Sequence, residues 1–151
     1  MIILGSDHGG FQLKELVKNF FNSQNASYSD VGTYDENLVD YPDYALKVAL
    51  QVVSNENNLG ILCCGTGIGM SIAANKIPGV RAALCQDVFC AEMARRHNNA
   101  NILCLGGRVL EPDTAIEIVR TFLITKFDGG RHAVRLEKIR SIETKGSIIN
   151  E

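Results

Sequence analysis

Residues 60–76 read GILCCGTGIGMSIAANK, and the division of this stretch decides the fold. Ile61-Leu62-Cys63 has the length and composition of a buried parallel strand, and it stops at Cys64 against Gly65, Gly67 and Gly69. A turn so bare of side chains can bring several main-chain N–H groups, from Gly65 through Thr66, Gly67 and Ile68 to Gly69, to bear on one anion. Met70 to Asn75 then reads as the first turns of a helix whose positive end faces the same spot. The expectation is a thiol, Cys64, at the lip of an anion hole. A plain strand-to-helix turn is the better reading for one such glycine and the poorer one for three beside a cysteine.

The same strand-then-helix grammar extends outward from this stretch. Ile2–Leu4 is an apolar strand ending in the polar turn Gly5-Ser6-Asp7-His8-Gly9-Gly10. Phe11, Leu16, Val17, Phe20 and Phe21 follow at helical spacing, with Lys14, Glu15, Lys18 and Asn19 expected on the solvent side. Tyr28–Val31 is a weaker strand, and Tyr41-Pro42 opens a helix with Tyr44, Ala45, Val48, Ala49, Val52 and Val53 as its apolar face. Beyond the glycine turn come a strand at Val80–Leu84, a helix capped by Asp87 and running to about His97, and a strand at Ile102–Leu105 ending in Gly106-Gly107-Arg108. Pro112-Asp113 opens the next helix, with Ile116, Val119, Phe122 and Leu123 inward, and Gly129-Gly130 breaks it. A last helix, Val134–Ile142, carries Leu136, Ile139 and Ile142 as a seam.

Alternating strands and helices imply a parallel sheet covered on both faces: a three-layer α/β sandwich with a Rossmann-like five-stranded sheet. With 151 residues and 46% hydrophobic content, one domain over residues 1–145 is expected, followed by a loose tail at 146–151. Ligands bind outside the carboxyl ends of such strands, where Asp7-His8, Cys64 to Gly69, His97-Asn98 and Arg108 are all expected. A net charge of -2 argues against nucleic-acid binding, and no apolar run approaches a membrane span. Cys63, Cys64, Cys85, Cys90 and Cys104 are odd in number and lie on or beside apolar runs, which suits free thiols in a reducing cytoplasm. Cys63 and Cys64 are adjacent on one strand, so they point to opposite faces and do not share a metal ion.

Two nucleotide motifs fail at the same residue. GxGxxG counted from Gly65 needs glycine where Met70 stands, and a P-loop needs lysine there. What remains is a smaller site, suited to an oxyanion or a single phosphate.

Five segments, GSDHGG (5–10), DYPDYA (40–45), ILCCGTGIGMSIAANK (61–76), ARRHNNANILCLGGRV (94–109) and FDGGRHAVRLEKI (127–139), resemble the ribose-5-phosphate isomerase B family, in family order and over nearly the whole chain. Galactose-6-phosphate isomerase subunits and an allose-6-phosphate isomerase activity share that fold. The resemblance implies an aldose–ketose isomerase that needs no metal or nucleotide cofactor, binds a sugar phosphate, and works as a dimer or a tetramer of dimers.

Interconverting ribose 5-phosphate and ribulose 5-phosphate requires opening the ring, removing the C2 proton, holding an enediolate and returning a proton at C1. The base needs a pKa within reach of neutrality, and a cysteine, near 8.5 when unperturbed, can be lowered by surrounding N–H groups. Cys64 fits that role, and the resemblance assigns it the same one. The N–H groups from Gly65 to Gly69 suit the enediolate, with the Thr66 hydroxyl either a donor or a backbone cap. His97 matches the family's ring-opening acid, with Asn98 beside it; alone, a histidine at a helix end would read as a capping residue. Asp7 and His8 are substrate contacts by resemblance, although Asp7 equally reads as a cap for the N–H groups after Gly9. Tyr41 either walls the sugar or simply packs. Arg108, Arg131 and Arg135, with His132 in support, are the phosphate ligands, while Arg95, Arg96, Arg120 and Arg140 read as solvated charges. The resemblance further implies that Arg131 and Arg135 reach a neighbouring subunit's site.

Overall fold

The computed structural model describes residues 1–148. Its elements alternate as β1 (Ile2–Ser6), α1 (Phe11–Ser23), β2 (Tyr28–Asp30), α2 (Tyr41–Val53), β3 (Leu59–Cys64), α3 (Ile68–Ala74), β4 (Ala82–Leu84), α4 (Val88–Asn98), β5 (Ile102–Gly106), α5 (Pro112–Ile124) and α6 (Arg131–Ile148). The five strands form one sheet in the order β2-β1-β3-β5-β4, parallel throughout. The expected sandwich is what forms. Because β2 lies on one side of β1 and β3 on the other, the chain reverses its winding at the β1–β3 pair, and the turns after β1, β3 and β5 end side by side.

Each face of the sheet has its own apolar cluster. Leu4, Ile61, Cys63, Leu103 and Leu105 pack under α1, α4 and α5, with Val17, Phe21, Ile118 and Phe122 fully or almost fully buried. Ile3, Leu62, Cys64, Ile102 and Cys104 face α2 and α3, meeting Val48, Ala49, Val52 and Met70. Cys63 and Cys64 thus face opposite clusters, as the period-2 geometry of a strand requires.

Three expectations need correction. Lys14 is not on a solvent face: it is 1% exposed, with Nζ 2.7 and 2.6 Å from the two carboxylate oxygens of Asp30, and Lys18 reaches the same carboxylate at 3.0 Å. The lysine stem packs inward, and its charge finds a carboxylate at the end of β2 that no local pattern pairs with it. In α2, Val53 is 40% exposed. In α6, Ile139 and Ile142 lie exposed and no seam is buried against the chain's own core. That helix starts at Arg131 and runs to Ile148, past the point where a loose tail is expected to begin; residues 149–151 lie outside the described residues.

Candidate active site

The turn after β3 is tied down on both sides. Asp7 N–H donates to the Cys63 carbonyl at 3.2 Å, Gly107 N–H to the Cys64 carbonyl at 2.8 Å, and Arg108 N–H to the Gly65 carbonyl at 3.0 Å. Gly67 turns with φ of +78°, and a Cβ there would stand 2.9 Å from the Leu105 carbonyl carbon, so only glycine takes this position without strain. The result is that Gly67 N–H donates to Cys64 Sγ at 3.1 Å. Cys64 is 5% exposed, so the sulfur lies at the floor of the turn and not at its lip. Cys63, wholly buried, is held well above the ordinary thiol range by desolvation first and by the neighbouring Cys64 second.

Other expected residues gather around this floor. Asp7 Oδ1 accepts the Gly10 N–H at 2.9 Å, so the capping reading of Asp7 is correct. His8 Nδ1 lies 3.2 Å from the Val39 carbonyl oxygen, in reach of the loop between β2 and α2. The Tyr41 ring covers Gly69, with its carbons 2.8 to 3.2 Å from where a Cβ would be. Arg108 lies along Gly65, with side-chain atoms 3.5 to 3.6 Å from the corresponding point. Thr66 is exposed, and its Oγ1 accepts the Ile68 N–H at 3.3 Å. α3 begins at Ile68, two residues earlier than expected, and has only 7 residues, so the turn's own N–H groups supply more of the positive field than the helix does.

The second group of expected residues lies elsewhere. α4 starts at the carboxyl edge of the sheet and runs back across it, and its 11 residues span about 16 Å. Its end sits by the amino ends of β4 and β5, where the Asn99 carbonyl accepts from Arg81 Nε at 3.0 Å. His97 and Asn98 therefore stand at the opposite edge of the sheet from Cys64, and their expected place beside it is corrected by the direction of α4. There His97 stacks on His132, with ring centroids 4.2 Å apart and planes 6° from parallel. Asp128 N–H donates to the Arg96 carbonyl at 3.0 Å and its carboxylate takes Arg96 Nε at 3.1 Å, which fastens the start of α6 to the end of α4. Arg131 and Arg135 project from the same first turns of α6 and are exposed.

Burial pushes the His132 imidazole below its ordinary pKa; His97, Arg131 and Arg135 push the same way and Asp128 opposes them. His97, Asp128 and His132 each offer a ligand-type atom within 4.8 Å of the others. Imidazole lone pairs lie in the ring plane, however, and two near-parallel planes do not converge on one ion, so this is a poor metal centre as it stands.

Spacing along the chain singles out neither Asp128 nor the depth of Arg95. Asp128 sits inside the FDGGRH segment, where a carboxylate before two glycines is its one local signal. Arg95 is not a solvated charge: its guanidinium lies over the Phe122 ring and donates to carbonyls of Ala100 and Thr125.

A single chain thus carries two partial constellations at opposite edges of one parallel sheet, a thiol in an amide-lined turn and a cluster of imidazoles and guanidinia. Comparison with known proteins places the chain: the profile of the Ribose/Galactose Isomerase family matches residues 2–139, and the chain belongs to that family. Among relatives, ribose-5-phosphate isomerase B of Escherichia coli strain K12 is 42% identical over 144 residues, covering 95% of this chain and 97% of that one. Among solved structures, ribose-5-phosphate isomerase B of Clostridium thermocellum is 52% identical with a TM-score of 0.93, covering 95% of this chain and 97% of its own. That of Mycoplasma genitalium, which holds ribulose-5-phosphate, is 43% identical with a TM-score of 0.90 and 95% coverage of both chains. Among the described residues no helix is long and apolar enough to cross a membrane.

Proposed function

We propose that this protein interconverts ribose 5-phosphate and ribulose 5-phosphate, with Cys64 as the base that moves the C2 proton and His97 as the acid that opens the ring. The single observation that carries the reading is the main-chain N–H of Gly67 on Cys64 Sγ, at the end of the central strand, in a chain whose relatives bear this activity. With the Gly67 N–H on Cys64 Sγ and the Ile68 N–H on Thr66 Oγ1, the remaining donors between Gly65 and Gly69 would hold the enediolate oxygens, each worth about 2.7 to 4 kcal/mol of barrier where it meets developing charge. Asp7 keeps Oδ2 for a sugar hydroxyl while Oδ1 caps Gly10, and Tyr41 closes the side over Gly69.

The separation of the two constellations supports a homodimer. In a two-fold dimer each chain lends one edge to the other, so two complete sites arise together: Cys64, its turn and Arg108 from one protomer, His97, Asn98, Arg131, His132 and Arg135 from its partner. The guanidinia would then take the phosphate by paired N–H donation. Free thiols at all five cysteines suit work in a reducing cytoplasm.

A coupled assay of the purified protein on ribose 5-phosphate, allose 6-phosphate and galactose 6-phosphate tests this. Turnover greatest on ribose 5-phosphate is expected. Preference for a hexose phosphate would move the substrate class, and well-folded protein inert on all three would make the chain a sugar-phosphate sensor.

A further inference from the structure

At the amino edge of the sheet, between the end of α2, the start of β3 and the end of α4, lies a cavity of about 550 Å3 that the reaction above does not use. That volume is within the range of small-molecule sites. Two half-buried arginines, Arg81 and Arg95, share its wall with Glu56, Asn57, Asn99 and Asn101. Every acceptor of the two guanidinia is neutral. Arg81 Nε donates to the Asn99 carbonyl at 3.0 Å and Nη1 to the Gly79 carbonyl at 3.4 Å. Arg95 Nε donates to the Thr125 carbonyl at 3.4 Å, and Nη1 to Asn99 Oδ1 at 3.1 Å and to the Ala100 carbonyl. Among the described residues neither arginine makes an ion pair within 4.0 Å, and Glu143 acts on Arg81 only from farther off.

The local charge balance points the same way. Burial and then the Arg81 charge lower the Arg95 pKa, while Glu143, which accepts the Gly79 N–H, raises that of Arg81 against its desolvation. Glu56 is the cavity's own carboxylate. Two like charges are thus held near one another in partial shelter, with Glu143 and Glu56 as the carboxylates around them, and a phosphate dianion between the two guanidinia would relieve their mutual repulsion. Planar guanidinium forks match phosphate oxygens, and the asparagine amides offer donors and acceptors for hydroxyls.

We propose that this cavity is a second anion-binding site, taking the phosphate group of a hydroxylated phosphate ester through Arg81 and Arg95. It lies at the other end of the sheet from Cys64, on the edge that also carries His97 and Asn98, but its lining includes none of the residues assigned to the reaction.

The test is isothermal titration at low ionic strength on protein whose catalytic phosphate ligands are removed by Arg108→Ala, Arg131→Ala and Arg135→Ala together. Ribose 5-phosphate should still bind saturably, once per chain, and more tightly than inorganic phosphate. Arg81→Met added to this background should abolish binding. Because both arginines also hold the end of α4, two charge changes that leave them in place decide the matter if that variant fails to fold. Glu56→Gln should tighten and Asn57→Asp should weaken binding, each about fivefold, since a purely structural cavity gives no reason for opposite signs. Absence of saturable binding in the triple variant, equal affinity for both anions, or indifference to Glu56→Gln and Asn57→Asp would overturn the proposal.

Discussion

The turn after β3 is built from main chain, whereas the junction of α4 with α6 is built from side chains. In the first, glycines admit amides to a buried sulfur, and three strand ends lock the turn by hydrogen bonds of 2.8 to 3.2 Å. In the second, stacked imidazoles and exposed guanidinia are held by the Arg96–Asp128 ion pair, itself partly in solvent, and by the Asp128 N–H on the Arg96 carbonyl. Amides cost no side-chain entropy to aim and suit an oxyanion whose position is fixed; long cationic side chains reach and adapt, which suits a flexible phosphate end. The chain thus places its rigid chemistry in the sheet and its adaptable chemistry on a helix that hardly touches its own core.

The largest effect should come from breaking the rigid half. Cys64→Ala should fold normally by circular dichroism yet lose at least about 100-fold in kcat/KM on ribose 5-phosphate, the lower end for removing a general base. Cys63→Ala, one residue away on the opposite face, should keep most activity. Equal turnover in wild type and Cys64→Ala would end the base assignment.

Breaking the other half sharpens the comparison. His97→Asn should impair ribose 5-phosphate turnover more than that of an analogue that needs no ring opening. Two inactive proteins, Cys64→Ala and His97→Asn, refolded together in equal amounts should recover up to about a quarter of wild-type activity, because half of the dimers are mixed and each of these has one intact site. No recovery, despite mixed dimers seen by native mass spectrometry, would mean that both halves act within one chain.

A smaller change addresses what supports the rigid half. Lys14→Met leaves Asp30 with Lys18 and the Gly32 N–H as partners, so a loss of about 2 kcal/mol in urea unfolding is expected, below the cost of stripping a buried charge completely. Smallest is the pH effect of His132. Its pKa is depressed in the folded chain, so the unfolded state takes up the proton first. Stability is unaffected well above the unfolded value near 6.5 and falls as pH drops through it. His132→Gln should flatten the fall of the urea midpoint between about pH 7 and pH 5.

How far the site was legible follows from the range of the forces involved. Cys64, the glycines after it, and Asp7 are placed by their own strand ends, so their neighbourhood could be read from spacing. Asp7 could also be read as a cap, because a carboxylate before Gly9-Gly10 finds its N–H partner within the same turn. For His97 a motif gives identity without direction, so its expected place beside Cys64 fails; only the antiparallel return of α4 over the sheet says where its last turn ends. Arg95 escaped for a related reason, since its burial depends on Phe122 from another helix.

From the sequence by itself come the alternation of strands and helices, the five-stranded parallel sheet, the opposed faces of Cys63 and Cys64, and the glycine turn. All of these arise from periodicity and backbone sterics acting over a few residues. Only the tertiary structure decided that Lys14 is buried on Asp30, that His97 and His132 stack at the far edge, and that α6 leaves Ile139 and Ile142 uncovered. Those contacts join residues distant in the chain, and their partners are chosen by strand order and helix direction, which no local pattern contains.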